Sequence, residues 1–293
     1  MEMRKLGPFD VYPIGLGAMP LSMGDNERPS DEQAIATVHA ALDAGVTYID
    51  TADIYAPSWD AVGHNERIVA RALASYGGST DDLVIGTKGG ITRGEGDSWG
   101  RDGSLGYLRG AVEASLRALD RDVIDLYQWH RPDRAILYAD GVASFKTLRD
   151  EGKIRAIGIS NANVEEIDIA VDVLGADGLA SVQNEFSPRH RSSRDELDRC
   201  AELGIAFLPW SPLGGTGQTS KSVGDRYSVF KEVGDELGVS PQQVVLAWEL
   251  SLGSHVIPIP GASRPTSITD SVLAASLQLD DGQLDRITKA MDA

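Results

Sequence analysis

The sequence predicts an α/β fold, a (β/α)₈ TIM barrel with a short N-terminal β-hairpin that closes its bottom. Short β-like runs alternate with helical patterns along the whole chain, and this alternation is typical of a parallel sheet. There are eight such runs, and several, such as Ile154–Ile159, are nearly continuous apolar segments that suit strands covered on both faces. The length of 293 residues also fits, because such a barrel typically needs about 250.

The eight predicted strands are spaced along nearly the whole chain. They are Pro13–Ala18, Thr47–Thr51, Leu83–Lys88, Ile124–His130, Ile154–Ser160, Ser181–Glu185, Ala206–Pro209 and Val256–Pro260. Before the first of them, Arg4–Gly7 and Phe9–Val11 are expected to form the hairpin that plugs the barrel. Eight strands favour a closed barrel over an open doubly wound sheet, although periodicity alone leaves both architectures open.

Helix starts fall between these strands. The four clearest are at Ser30, Asn163, Ser193 and Ser240. Each is followed three residues later by Glu or Gln, which is the pattern of a capping box, in which two side chains satisfy otherwise unpaired amides. Pro241 at the first helical position supports the last of the four. Glycines at 45, 152 and 204 stand where helices are expected to end.

Composition and charge limit the classes of function. We expect one domain over residues 1–293, because no linker or low-complexity segment interrupts the pattern. A net charge of −17 disfavours binding to phosphate backbones and anionic lipid, so nucleic acid and membranes are poor candidate partners. No run approaches the ~20 apolar residues of a membrane span and no secretory signal is visible, so the cytoplasm is the expected compartment. With no apolar stripe left over, a monomer is the default expectation.

Polar residues cluster where the predicted strands end, which is where barrels build their active sites. Asp50 and Tyr55 follow the second strand, Lys88 ends the third and His130 ends the fourth. Each residue alone has an ordinary structural explanation, because a strand-end lysine is usually a solvated tip and a tyrosine often borders a core. Four such residues at the ends of three successive strands indicate a site instead.

These four residues suit the reduction of a carbonyl group. Asp50 beside Lys88 would form a partly buried ion pair, and the lysine cation is expected to lower the pKa of Tyr55 from about 10. A phenol tuned in this way can donate a proton to a developing alkoxide and take it back in the reverse reaction. His130 can hydrogen-bond the same oxygen.

Longer motifs resemble those of the aldo-keto reductases over nearly the whole chain. They are Ile49–Tyr55 (IDTADIY), Thr87-Lys88, Trp129-His130, Gly158–Asn161 (GISN), Gln183–Glu185 (QNE), Trp210–Leu213 (WSPL) and Ile259–Gly261 (IPG). Any one of them is a weak signal, but together and in this order they are specific. The resemblance implies a barrel enzyme that reduces an aldehyde or ketone to the alcohol by hydride transfer from NADPH, bound without a Rossmann fold, with Tyr55 as the general acid.

The same resemblance implies a set of cofactor-binding residues. In chain order these are Ser160, Asn161, Gln183, Trp210, Ser211, Pro212, Leu213, Gly215, Gly261, Ser263 and Arg264. The first three are expected at the nicotinamide carboxamide, and Trp210 is expected to stack on the nicotinamide ring. Arg264 is the expected charge partner of the adenosine 2′-phosphate.

One stretch departs from the family pattern. Members often carry Lys or Arg, and then Glu-Asn, a few residues after the Ile-Pro-Gly motif, whereas this chain has Ser267 and then Asp270-Ser271. Fewer cationic side chains are therefore available here to pair with the 2′-phosphate of NADPH. We expect NADPH on the strength of Arg264, with NADH as the alternative.

Three tryptophans are the candidate substrate contacts, Trp59, Trp99 and Trp129. Trp59 lies in the loop after Tyr55, and Trp99 lies in the loop 94–103, so both are expected to overhang the pocket. Because the chain stops soon after its last helix, we expect an open pocket that accepts bulky carbonyl compounds. A weak similarity to a bacterial branch that includes pyridoxal reductases, at Asn184-Glu185 and Leu213–Gly215, leaves the physiological substrate undetermined.

Two rival hypotheses remain open from the sequence. A lysine at a barrel strand end can form a Schiff base, as in an aldolase-type lyase, but Asp50 would keep Lys88 charged and so disfavours this chemistry. The chain could instead be a non-catalytic, cofactor-binding regulatory subunit, which the complete set of four polar residues disfavours. The histidines have no metal-binding spacing, so no metal site is predicted.

Overall fold

A curved sheet of seven parallel strands forms the centre of the protein. The computed structural model describes residues 2–24, 28–175, 177–215, 220 and 222–292. In these ranges the strands are β1 (Arg4–Leu6), β2 (Phe9–Val11), β3 (Leu16–Gly17), β4 (Tyr48–Asp50), β5 (Val84–Gly89), β6 (Ile91–Gly94), β7 (Ser98–Arg101), β8 (Ile124–Trp129), β9 (Ile154–Ser160), β10 (Ser181–Gln183) and β11 (Ala206–Phe207). The order of the large sheet is β11-β10-β9-β8-β5-β4-β3, which is the sequential parallel order that repeated βα units of a barrel produce.

An extended segment, and not a regular strand, fills the eighth position of the barrel. We predicted a strand at Val256–Pro260, and only isolated bridges form there: Val256 pairs with Phe207 of β11, and Gly261, just after the predicted strand, pairs with Gly17 of β3. The carbonyls of Pro258 and Pro260 accept hydrogen bonds from the amides of Gly15 and Gly17, at 2.9 and 3.0 Å. Proline has no N–H to return such a bond, so the segment closes the barrel without completing a ladder.

The N-terminal hairpin closes the bottom of the barrel, as the sequence predicted. Its strands β1 and β2 pair antiparallel, with Arg4 opposite Val11 and Leu6 opposite Phe9. Leu6 and Val11 are fully buried and belong to the same apolar cluster as Leu126 of β8. Burial of this apolar area explains why a hairpin of only six paired residues holds its place.

Helices surround the sheet and alternate with its strands. They are Asp31–Asp43, His64–Ser75, Leu105–Leu119, Tyr138–Asp150, Val164–Leu174, Arg194–Leu203, Val223–Arg226, Ser228–Leu237, Pro241–Ser251, Pro265–Leu273 and Asp281–Asp292. The predicted capping box at Asn163 is confirmed, because Asn163 and Glu166 satisfy each other's backbone amides. At Ser240 only half of the box forms: the hydroxyl accepts the amide of Gln243, whose side chain donates to Asp270 instead. The capping prediction at Ser193 is wrong, since its side chain caps no helix amide.

The predicted capping box at Ser30 is only half formed. The Ser30 hydroxyl accepts the Gln33 amide at 3.3 Å, but the Gln33 side chain does not return to Ser30. Its Nε2 instead donates to the carbonyl of Ser263 at 2.7 Å. The first helix of the barrel therefore anchors the loop 261–264, a contact between distant positions that a local motif cannot reveal.

A second hairpin, formed by β6 and β7, stands where the sequence suggested a loop. It pairs antiparallel, with Arg93 opposite Trp99. Its turn, Glu95–Asp97, contains two consecutive residues with left-handed backbone conformation, Gly96 at φ 70° and Asp97 at φ 57°. Glycine adopts this conformation at little cost and aspartate is among the residues that tolerate it, which explains this sharp turn.

Some chemistries find no support in the described part of the chain. Its residues include no group of three or more His, Cys, Asp or Glu side chains that could hold a metal ion. None of its helices is long and apolar enough to cross a membrane. Cys200 is buried, and burial raises the pKa of its thiol to about 12, so this cysteine is a packing residue and not a nucleophile.

Candidate active site

The four predicted catalytic residues lie together at the mouth where the barrel strands end. Asp50 ends β4, Tyr55 follows it in the next loop, Lys88 lies in the adjacent β5, and His130 follows β8. Strands β4, β5 and β8 are neighbours in the sheet, which brings together residues from distant positions in the chain. All four side chains are buried, with no more than 9% exposed.

Lys88 is the centre of a buried hydrogen-bond network. Its Nζ donates to Oδ2 of Asp50 at 2.5 Å, to the carbonyl of Thr51 at 2.9 Å and to the hydroxyl of Tyr55 at 3.3 Å. An ammonium group has three N–H donors, so these three partners use its full capacity. The side chain is fully buried, which makes such pairing necessary for a charged group.

The carboxylate of Asp50 is held by three further side chains. Its Oδ1 accepts hydrogen bonds from Tyr48 at 3.1 Å, from Gln128 at 3.0 Å and from Gln183 at 2.8 Å. Gln183, predicted only as a cofactor residue, therefore also fixes the carboxylate that holds Lys88. The contributions of Tyr48 and Gln128 were missed, although both occupy positions in predicted strands from which a polar side chain could reach the barrel interior.

The pKa of Tyr55 is shifted in the direction opposite to the one we expected from the sequence. Burial raises it, and the nearby cation of Lys88 acts in the other direction without cancelling this effect. For Lys88, burial acts to lower the pKa, but the charges and hydrogen bonds of Asp50 and Tyr55 outweigh it, and the pKa is raised. Near neutral pH the protein therefore holds a protonated phenol against a protonated lysine.

His130 is the fourth member of the group and is uncharged. Its ring lies at 85° to that of Tyr55, with 5.6 Å between the ring centroids. Burial holds the pKa of His130 well below its ordinary value, and the cations of Lys88 and Arg131 lower it further. The neutral ring can offer an N–H donor beside the phenol without carrying a charge.

A cavity of about 690 Å³ opens over these residues. Asp50, Tyr55 and His130 line it, and Lys88 lies behind them, out of contact with solvent. This volume is within the ordinary range of small-molecule and cofactor sites. The phenol and the imidazole therefore face a space in which a ligand can be bound.

All the residues predicted to bind the cofactor line this same cavity. They are Ser160, Asn161, Gln183, Trp210, Ser211, Pro212, Leu213, Gly215, Gly261, Ser263 and Arg264. These residues come from the ends of β9 and β10, from the segment after β11, and from the segment that closes the barrel. Their convergence from four parts of the chain is what a single extended ligand requires.

Local features of the cavity wall suit a bound polar ligand. Asn161 and Ser211 adopt left-handed backbone conformations, with φ of 59° and 51°, which are uncommon for residues other than glycine and concentrate at functional sites. Among the described residues, no partner satisfies the buried Nδ1 of His130 or the buried Nε1 of Trp210. Buried polar atoms normally have partners, so a ligand in this cavity would meet groups that need them.

The end of the cavity near Arg264 carries one cationic side chain, Arg264, and one acidic side chain, Asp270. The Arg264 side chain is exposed and makes no ion pair within the described ranges. Asp270 lines the same region, but its two carboxylate oxygens accept hydrogen bonds from Ser240 at 2.7 Å and from Gln243 at 2.6 Å. Arg264 therefore remains available to an anionic group, next to a carboxylate that is already engaged.

The three candidate substrate tryptophans have different positions. Trp99 lines the cavity and is 51% exposed, whereas Trp59 lies on the surface outside the cavity wall of the described residues. Trp129 is only 1% exposed and stacks on Tyr138 of the following helix, with 5.0 Å between the ring centroids. Successive strand residues face opposite sides, so Gln128 points into the barrel and Trp129 points out. We correct the expectation for Trp129 accordingly.

Comparison with known sequences agrees with this geometry. The sequence profile of the Aldo/keto reductase family matches residues 13–292. A Schizosaccharomyces pombe protein named as an oxidoreductase is 33% identical over 295 residues, which cover 99% of this chain and 90% of that protein. A 6-dehydroglucose reductase of Novosphingobium aromaticivorans is 35% identical over 290 residues, which cover 94% of this chain and 90% of the reductase.

Solved structures share the fold. A glycerol dehydrogenase from Gluconobacter oxydans superposes with a TM-score of 0.83 at 25% identity, covering 99% of this chain and 94% of that one. An aldo/keto reductase from Klebsiella pneumoniae, solved in complex with NADP and acetate, gives a TM-score of 0.79 at 25% identity and covers 99% and 95%. With a family match over nearly its whole length and relatives above 30% identity, this chain belongs to the aldo/keto reductase family.

Proposed function

We propose that this protein reduces an aldehyde or ketone to the alcohol, with NADPH as the reductant and Tyr55 as the general acid. The observation that carries the proposal is the buried chain from Asp50 through Lys88 to the Tyr55 hydroxyl, which ends at the wall of the cavity beside neutral His130. Membership of an oxidoreductase family supports the same class of reaction.

The raised pKa of Tyr55 is consistent with a general acid. The phenol stays protonated near neutral pH, so it has a proton to give when negative charge develops on the carbonyl oxygen. Lys88 lies 3.3 Å from the phenol oxygen and stabilises the phenolate that remains after the transfer. Asp50 holds Lys88 in place and does not itself contact the Tyr55 hydroxyl in this network.

His130 would orient the carbonyl compound. Because its pKa is well below the ordinary value, the ring is neutral and can donate a hydrogen bond to the same oxygen that receives the proton of Tyr55. A charged ring beside Lys88 would instead add a second buried cation, which is costly. The two rings meet edge to face, and both side chains line the cavity.

The residues around the cavity support NADPH as the reductant. Asn161 is fixed by hydrogen bonds from its Nδ2 to the His130 carbonyl and to Ser160, which orients its amide at the place expected for the nicotinamide carboxamide. Trp210 supplies the aromatic face and Arg264 the cation for the 2′-phosphate. The bound nicotinamide supplies the hydride. The complex of the Klebsiella pneumoniae protein with NADP supports the same choice of cofactor.

The contacts of Lys88 disfavour the lyase hypothesis. A Schiff base needs a neutral amine that can reach the substrate. Lys88 is fully buried, its three donors are engaged, and its pKa is raised, so it is neither neutral nor accessible. Borohydride reduction in the presence of a carbonyl compound is expected to leave no adduct on Lys88 in the mass spectrum of the digested protein.

The proposal is tested by turnover of wild type and Tyr55→Phe on a panel of aldehydes and ketones, followed by the absorbance of NADPH. We expect wild-type turnover, and a loss of about 10²- to 10⁴-fold in kcat for the variant, because it lacks only the proton donor. Cofactor binding, followed by tryptophan fluorescence, is expected to be close to normal in both proteins.

Each alternative outcome has a distinct meaning. Equal turnover by Tyr55→Phe and wild type would remove Tyr55 from this role. Tight cofactor binding without turnover of any carbonyl compound would favour a non-catalytic, cofactor-binding regulatory subunit. Weak binding of both NADPH and NADH would contradict the proposed reaction itself.

A further inference from the structure

The hairpin of β6 and β7, residues 91–101, stands beside the catalytic loop and will be called the mouth hairpin. One of its residues, Trp99, lines the cavity, and its neighbour across the hairpin, Arg93, contacts the loop that carries Tyr55. The mouth hairpin is therefore in contact with both the substrate space and the chain around the proposed general acid.

Arg93 is the residue that joins these two parts. Its guanidinium donates to the carbonyl of Ala56 at 2.6 Å and to the carbonyl of Ile54 at 3.4 Å, the two residues on either side of Tyr55. It also donates from Nε and Nη2 to one carboxylate oxygen of Asp97, both at 3.0 Å. Its side chain is only 6% exposed, so Arg93 is a nearly buried cation that needs these partners.

The same guanidinium lies over the ring of Trp99. The central carbon of Arg93 lies 4.8 Å from the centroid of the Trp99 ring, which is within the range of a cation–π contact. Trp99 nevertheless remains 51% exposed. Because half of the side chain stays exposed while Arg93 lies over the ring, the indole keeps surface that a ligand in the cavity can contact.

We propose that Arg93 is a positioning residue that joins an aromatic substrate platform, Trp99, to the loop of the general acid Tyr55, and that the platform selects carbonyl compounds with a flat apolar face. An aromatic ring and the C–H face of a sugar ring both have such a face. This proposal deepens the proposed function and rests on it for the identity of Tyr55 as the acid.

The platform selects by shape and apolar contact and not by charge. The guanidinium of Arg93 is paired with the carboxylate of Asp97 at 3.0 Å, so the two side chains together add no net charge beside the indole. Stacking on an aromatic side chain at a partly exposed site is worth a few-fold to about tenfold in affinity.

The test compares three substrates on wild type and variants. Propanal is too small to reach across the cavity, 4-nitrobenzaldehyde has an aromatic face, and D-erythrose adds a sugar-like face. Trp99→Leu is expected to raise KM about fivefold for the substrate that uses the platform and to raise KM for propanal much less. The compound whose KM rises shows whether the platform prefers an aromatic or a sugar-like face. Trp99→Phe keeps an aromatic ring and is expected to have a KM close to that of wild type.

Arg93→Met is expected to affect both the Trp99 platform and the loop that carries Tyr55. It should raise KM for the stacked substrate as Trp99→Leu does, and it should also lower kcat for propanal several-fold, because the carbonyls flanking Tyr55 lose their donor. Arg101→Met is the matched control, since Arg101 is an exposed arginine of the same hairpin with no ion pair in the described ranges. It should leave all three substrates unaffected.

Hydrogen–deuterium exchange gives a measurement that does not depend on turnover. In Arg93→Met, the amides of residues 53–57 are expected to exchange several-fold faster than in wild type, while Arg101→Met leaves them unchanged. Unchanged exchange at residues 53–57, or an unchanged kcat for propanal, would overturn the link to Tyr55. Equal KM effects of Trp99→Leu on all three substrates would overturn the platform. Absence of wild-type turnover would contradict the proposed function and leave the exchange experiment to decide the link.

Discussion

At the scale of single residues, the candidate site depends on the charged ammonium group of Lys88, which lies where burial makes a charge unfavourable. Lys88 is fully buried, and an unpaired charge in such a place is strongly unfavourable. Three acceptors, including Asp50 and Tyr55, offset this cost. Lys88 is therefore expected to act on its neighbours only through its charge. The phenol of Tyr55, which lines the cavity, is the group that can contact a ligand.

Removal of this charge has a predictable effect on the pH profile. In Lys88→Met the phenol of Tyr55 loses a nearby cation that lowers its pKa, while burial and Asp50 still raise it. Alcohol oxidation needs the phenolate, so its activity rises with pH, and in the variant this rise is expected at higher pH than in wild type, with kcat at least about tenfold lower. The measurement is the rate of NADP reduction against pH, with circular dichroism to verify folding. An unshifted profile would contradict the role of Lys88.

At the scale of elements, the helix Pro241–Ser251 buries an acid that has no evident use in the site. Glu249 is fully buried, and neither of its carboxylate oxygens has a hydrogen-bond partner among the described residues. Burial raises its pKa well above the ordinary value. A group whose folded-state pKa is raised contributes most favourably below its unfolded pKa of about 4.3, and this contribution is lost as the pH rises through the folded-state pKa.

Replacement of Glu249 is therefore expected to stabilise the protein. For Glu249→Gln, the gain in free energy of unfolding over wild type should grow as the pH is raised from about 5 to about 8, because only wild type carries the ionisable group. Glu249→Leu, which also removes the unsatisfied polar atoms, should gain about 1–3 kcal/mol at neutral pH. Urea unfolding at several pH values measures both. A gain that is independent of pH would mean that the carboxyl has a partner when ionised.

The N-terminal hairpin is attached to the C-terminal end of the same helix by Arg4. Its guanidinium donates to the carbonyl of Leu250 at 2.9 Å and to that of Gly253 at 2.8 Å, and also to the carbonyl of Val256. Burial lowers the pKa of Arg4 to about 10, so it is still charged at neutral pH. One residue thus ties the plug of the barrel to the segment that closes it.

Loss of this attachment is expected to destabilise the fold. Arg4→Met keeps an apolar stem but removes the donors, and should lower the free energy of unfolding by about 2 kcal/mol, the cost of leaving carbonyls without a charged donor. Lys5→Met is the control, because Lys5 is an exposed neighbour whose side chain is 72% accessible and pairs only with Asp10 on the surface. Thermal unfolding of the two variants gives the comparison, and equal midpoints would show that Arg4 contributes no more than a surface residue.

At the scale of the whole molecule, the cavity joins β3, the segment after β11 and the segment 259–264 around one space. A ligand bound there can contact the two ends of the large sheet together. It should therefore stabilise the folded state as a unit, by about 2.7 kcal/mol when its concentration is about 100 times its Kd.

The choice between NADPH and NADH can be measured through this stabilisation. If Arg264 pairs with the 2′-phosphate, Arg264→Ala should weaken NADPH binding about tenfold or more and leave NADH binding nearly unchanged. The shift of the thermal midpoint with each cofactor reports both affinities, and NADH serves as the control on the same variant. Equal losses for the two cofactors would assign Arg264 to another part of the ligand, and tighter NADH binding by wild type would reverse the proposed preference.

Much of this architecture could be predicted from local patterns in the sequence. Side chains repeat on one face every second residue in a strand and every three to four residues in a helix, so both patterns can be read locally from the sequence. The seven strands and the main helices accordingly lie close to their predicted positions. The candidate active-site residues Asp50, Tyr55, Lys88 and His130 could be selected from the sequence for a related reason, since polar residues at the ends of buried strands have no packing use.

Contacts between distant segments were decided by the tertiary structure alone. Closure of the barrel by a proline-containing segment, the hydrogen bonds from Gln128 and Gln183 to Asp50, and the hairpin that turns Trp99 to the cavity all depend on which side chains meet in space. The direction of the Tyr55 pKa belongs to the same class. The sequence predicted the cation beside the phenol, but the burial that outweighs it arises only when the whole barrel has folded around both.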